Sequence, residues 1–118
     1  MREIKFRAWD KVVKQMKYYD APMKLTFSSG EIFGYFIPKQ EELMQFTGLH
    51  DKNGKEIWEG DIFGNIPQLR CVIEWENCRF IFKFLDPKIE KRNLMFNDWA
   101  RKSEVIGNIY ENPELLKP

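Results

Sequence analysis

A single histidine and two cysteines are the only imidazole and thiol groups in this chain of 118 residues. His50 with Cys71 and Cys78 falls short of a closed zinc site. No Ser-His-Asp or Cys-His order surrounds His50, so nucleophilic catalysis of that kind has no residues to use. Two cysteines cannot build a disulfide scaffold, and a reducing compartment suits them. Charge of one sign is equally scarce. Lys plus Arg number 19 against 18 Asp plus Glu, and a net charge of +1 gives no whole-protein field to gather phosphate or an anionic membrane. No apolar run approaches the roughly 20 residues of a membrane-spanning helix. Met1 is followed by Arg2-Glu3 rather than by an apolar leader, which sets the cytoplasm as the expected location. The phosphate-cradling G-x-x-x-x-G-K-[ST] and G-x-G-x-x-G patterns and the zinc-binding H-E-x-x-H are all absent.

Aromatic residues, in contrast, are plentiful. Ten Phe, four Trp and four Tyr favour a β class, because such side chains suit a half-buried pleated surface. The length is that of one domain with a real core. EIKFRAW alternates over residues 3–9, with Ile4, Phe6 and Ala8 on one side and Lys5, Arg7 and Trp9 on the other. A polar connection at Asp10–Lys14 and a second strand at Gln15–Tyr19 complete a hairpin. Two further short strands are expected at Leu25–Phe27 and Ile32–Ile37, around Ser28-Ser29-Gly30. Lys39–Glu42 reads as a polar linker between an N-terminal segment, 1–38, and a core, 39–118.

The central stretch Leu43–Ile62 predicts a strand at Leu43–Thr47, a turn region opened by Gly48 and built on Asp51-Lys52-Asn53-Gly54, and a tight Gly60-Asp61 step into another strand. Leu69–Leu85 predicts an antiparallel hairpin. A two-residue turn at Glu76-Asn77 would place Cys71 opposite Phe82 and Glu74 opposite Arg79, with Cys71, Ile73, Trp75, Cys78, Phe80 and Phe82 on one apolar face. In that register the two cysteines lie roughly 13 Å apart, too far for a disulfide, and read as small buried hydrophobes. Residues 88–102 leave helix and loop both open. Glu104–Tyr110 predicts a last strand interrupted by a bulge or by close packing at Gly107, and Asn112-Pro113-Glu114 a capped C-terminal helical turn.

Two groups of residues bear on chemistry. Asp51, Glu59 and Asp61 could form a carboxylate cluster for a divalent metal or acid–base work, although acids beside turns more often bond backbone N–H groups. Lys5, Arg7 and Trp9 share a strand face in a locally basic segment, where phosphate contact and base stacking are one use and a solvated outer face is another.

REIKFRAWD (Arg2–Asp10), LMQFTGLHDKNGKEIWEGDI (Leu43–Ile62) and EVIGNIYENPELL (Glu104–Leu116), with the VIEWENCRFIF hairpin between them, together resemble the YopX-like family of proteins encoded by phages and prophages. The resemblance runs the length of the chain. It implies a mainly β fold, with a small SH3-like barrel in the C-terminal two-thirds and an N-terminal β extension. It implies neither an activity, nor catalytic or metal-binding residues, nor a cofactor. The expected function is that of a phage accessory protein acting as a non-enzymatic, homo-oligomeric binding module in the host cytoplasm, with a protein partner before a nucleic acid. A small metal-dependent hydrolase or nuclease and a nucleic-acid-binding protein are the alternatives.

Overall fold

The alternating segments are strands. The structure, a computed structural model, describes residues 4–19, 23–27, 30–34, 40–64, 69–89 and 100–117. In chain order these hold β1 (Phe6–Asp10), β2 (Gln15–Tyr19), β3 (Met23–Phe27), β4 (Gly30–Gly34), β5 (Glu41–His50), β6 (Glu56–Trp58), β7 (Asp61–Phe63), β8 (Cys71–Glu76), β9 (Arg79–Phe84) and β10 (Val105–Asn108). A short 3-10 helix at Pro113–Leu116 follows. The fold is mainly β and antiparallel. Its sheets are ordered β2-β1-β5-β6 and β10-β7-β8-β9, with β3 and β4 pairing alone. Of the segment left open between helix and loop, residues 100–102 form one helical turn and 90–99 lie outside the described residues. No helix among the described residues is long and apolar enough to cross a membrane.

The chain divides into two units, Met1–Gln45 and Phe46–Pro118, and the boundary falls inside β5. The expected linker is therefore misplaced at its C-terminal end. Glu41 and Glu42 open β5, and Glu41 is buried. A glutamate pair looks like a solvated joint, but Glu41 finds a lysine and a tyrosine on β2. Gly48 likewise does not end the strand. β5 continues to His50 through an irregularity between the Phe46–Trp58 and His50–Glu56 pairs. Gly48 supplies the positive φ (+87°) that this bulge requires. The Thr47 hydroxyl fills the gap in the ladder, donating to the Ile57 carbonyl (2.6 Å) and accepting from Leu49 N–H (3.1 Å).

Among the described residues, unit 2 holds an apolar core of Ile57, Phe63, Cys71, Ile73, Phe82, Phe84 and Ala100, with Phe63 and Phe82 rings 5.2 Å apart. The β8–β9 hairpin is present in a different register from the one expected. Its turn is Asn77-Cys78, and Cys71 faces Phe84, Ile73 faces Phe82 and Trp75 faces Phe80. The slip is of two residues, so every side chain but that of Cys78, now in the turn, keeps its face. Both turn residues have positive φ, 52° and 62°, as a type I′ loop demands. Placing Cys78 in the turn brings Phe84 into the core. Cys78 is consequently exposed rather than buried, while Cys71 is enclosed and donates to the Phe63 carbonyl (3.6 Å). Neither thiol is in a disulfide. Glu74 pairs with Lys83 (3.6 Å), not with Arg79.

β10 carries its bulge between Val105 and Gly107. A methyl group on Gly107 would meet Asn112 Oδ1 at 2.5 Å and Cγ at 2.7 Å. Asn112 does not cap the 3-10 helix with its side chain. Its Oδ1 instead accepts from Asn108 N–H (3.1 Å), while Asn108 Oδ1 accepts from the N–H groups of Tyr110 and Glu111.

Candidate functional site

On unit 1, β1 pairs with β2 on one side and β5 on the other, and the registers decide which side chains meet. Asp10 lies opposite Glu41, and Ala8 opposite Lys17 and Leu43. Two carboxylates facing each other across a ladder repel. Ala8 offers only a methyl group on that face, so Lys17 reaches over β1 and answers both. Its Nζ stands 3.1 Å from Asp10 Oδ2 and 3.3 Å from Glu41 Oε2. Tyr19 O–H donates to Glu41 Oε1 at 2.6 Å. Asp10 Oδ1 accepts from the Val12 and Val13 N–H groups and so closes the β1–β2 turn. The Val13 amide, then Lys17 and Val12, hold the Asp10 carboxyl below its ordinary 3.8 against the opposing effect of burial. Asp10 and Glu41 in turn raise Lys17, and Glu41 together with burial raises Tyr19. Sequence reading missed this group. The signal available was two acids and a lysine at matching positions in three strands, legible only once the registers were known.

The opposite face of the same strands carries Arg7 and Trp9, in register with Tyr18 and Met16 on β2 and with Met44 and Glu42 on β5. Arg7 is 4% exposed, Trp9 and Met16 are half-buried, and Tyr18 is 59% exposed. Lys5 precedes β1 and is half-buried. The structure thus puts Arg7 and Trp9 on one face but withdraws the Arg7 guanidinium from the surface. Lys11 is paired with Glu42 (3.1 Å), as Lys17 is with Asp10 and Glu41.

On unit 2, the carboxylates of the central stretch do local work. Asp51, buried, takes the Asn53 and Lys55 N–H groups on Oδ1 and the Val105 N–H on Oδ2, each at 2.9 Å. Lys52 N–H donates to the Ser103 carbonyl (3.1 Å) and Asn53 Nδ2 to Glu104 Oε2 (2.8 Å), so the 51–55 turn is clipped to the start of β10. Asp61, buried, takes Trp58 N–H on Oδ2 (2.8 Å) and closes the turn that contains half-buried Glu59. Among the described residues, no three His, Cys, Asp or Glu side chains are grouped so as to hold a metal ion. His50 is exposed, its ring edge-on to Phe46 at 5.8 Å.

The sequence model described as "YopX protein" matches residues 5–117. A crystal structure of protein EF1440 from Enterococcus faecalis superposes with a TM-score of 0.64 at 29% identity, covering 99% of this chain and 100% of that one. The crystal structure of protein yopX from Bacillus subtilis superposes with a TM-score of 0.55 at 21% identity, covering 100% and 98%, a likeness of fold. No curated protein matches the chain.

Proposed function

The chain belongs to the YopX family, and from that premise we propose that it is a phage or prophage accessory protein that binds another macromolecule without transforming it. Its partner is a protein rather than a nucleic acid, it self-associates, and it works in the cytoplasm of the bacterial host. Residues 39–118 serve as a scaffold of the SH3-like barrel kind, and residues 1–38 as the β extension that carries the contact face. One observation supports this above the others: Trp9, Met16 and exposed Tyr18 stand together on the Arg7 face, while Lys11 and Lys17 are paired with carboxylates. Aromatic residues and Met are enriched at protein interfaces, and lysines already neutralised have less to offer phosphate. The test is capture from a phage-infected host with tagged wild-type chain and with a W9A/Y18A variant of unchanged circular dichroism. A protein retained by the first and lost by the second is expected. Sub-micromolar, salt-sensitive binding of an oligonucleotide at physiological salt, abolished by K5A/W9A, would overturn the choice of partner.

A further inference from the structure

The tip of the central turn is Asn53-Gly54, and the asparagine is exposed. An Asn followed by Gly is open to attack on its own side chain, because the next residue has no side chain to hinder the backbone nitrogen. Here both reacting groups are engaged. Gly54 N–H donates to the Asp51 carbonyl (3.0 Å), and Asn53 Nδ2 donates to Glu104 Oε2 (2.8 Å). Asn53 N–H is itself held by Asp51 Oδ1 (2.9 Å). We propose that Asn53 is a latent deamidation site, closed while the 51–55 turn is clipped to Glu104 and turned over when that turn opens. In the open turn Gly54 N bonds to Asn53 Cγ, and the Cγ–Nδ2 bond breaks. Ammonia leaves with the proton that Gly54 N gives up, and a succinimide ring remains. Water then opens the ring at one carbonyl or the other, leaving aspartate or isoaspartate. No electron changes hands. The product is what makes the site consequential. A donor amide facing Glu104 becomes a carboxylate facing a carboxylate, and the clip that re-forms after an ordinary opening no longer does so. The modification is a one-way loss of one tie to β10, leaving Lys52 N–H on the Ser103 carbonyl and Val105 N–H on Asp51 Oδ2.

The experiment uses the full chain. Native protein, protein in denaturant and the E104A variant are incubated side by side at mildly alkaline pH, and aspartate and isoaspartate at position 53 are quantified by peptide mapping. Deamidation about tenfold slower in the native wild type than in denaturant is expected, corresponding to an opening free energy of about 1.4 kcal/mol. E104A should fall between them. Equal rates in native and unfolded chain would overturn the idea that the clip guards the site. The second half is tested by melting temperature: N53D should lower it, and E104Q should recover most of the loss in the N53D background, since a carboxamide can donate to the new carboxylate. An N53D variant as stable as wild type, or a loss that E104Q leaves untouched, would remove the charge-repulsion consequence.

Discussion

The two units bury polar side chains in opposite ways. In unit 2, Thr47, Asp51, Asp61 and Asn108 each satisfy backbone groups of a nearby turn or bulge, beside a continuous apolar core. In unit 1, buried Asp10 and Glu41 are answered by Lys17 and Tyr19 across three strands, and the buried apolar side chains among the described residues are Ala8 and Met44. Backbone-directed acceptors specify where a chain turns, as Asp10 Oδ1 also does at the β1–β2 turn. Side chains directed at one another specify which strands adjoin, and they answer to titration and salt.

The largest effect should come from the apolar core. Phe82→Ala removes a buried ring that packs on Phe63 and should cost about 3–5 kcal/mol by urea denaturation. Next comes Asp51→Ala. The amides of exposed Asn53 and Lys55 recover water while that of Val105 is more enclosed, so a loss of about 2–3 kcal/mol is expected. Gly107→Ala must displace the Asn112 side chain from its bond to Asn108 N–H and should cost about 1–2 kcal/mol, read from the same titration.

The sharpest test of the contrast is Lys17→Met. Asp10 is depressed in the folded chain, so its contribution is present above 3.8 and is lost as pH falls through the folded value. Lys17 and Tyr19 are raised, so theirs is present below 10.5 and 10.0 respectively and is lost as pH rises through the folded values. Denaturation across the pH range should therefore show a plateau with two falling limbs. Lys17→Met should remove the Lys17 share of the alkaline limb and leave that of Tyr19, which Glu41 and burial raise, and should flatten the acid limb only partly, because the Val13 amide is the first cause of the Asp10 depression. An unchanged profile would break the comparison.

Periodicity made most of the strands legible: alternation around Phe6, Met16 and Ile73 marks half-buried ladders whatever their neighbours. Faces were legible too, since a two-residue slip in the β8–β9 hairpin preserves them. Register was not. Cys at positive φ is a poor turn former by propensity, and the burial of Phe84 outweighed that preference. Glu41 was hidden for a related reason, because a buried acid is indistinguishable from a solvated one until its lysine is found two strands away. The face holding Arg7 and Trp9 was readable from spacing alone, whereas the burial of Arg7 depended on packing that spacing does not encode.

Cys78 gives the chain a built-in reporter. One thiol stands at the outer end of a hairpin and the other is sealed in the core, so a maleimide probe added to native protein should mark a single known position without mutagenesis. Trp75, 47% exposed and edge-on to Phe80 at 4.8 Å, lies a few residues along the same ribbon. A dye accepting energy from that indole would report on whatever approaches the hairpin tip, and on nothing that happens at the buried sulfur.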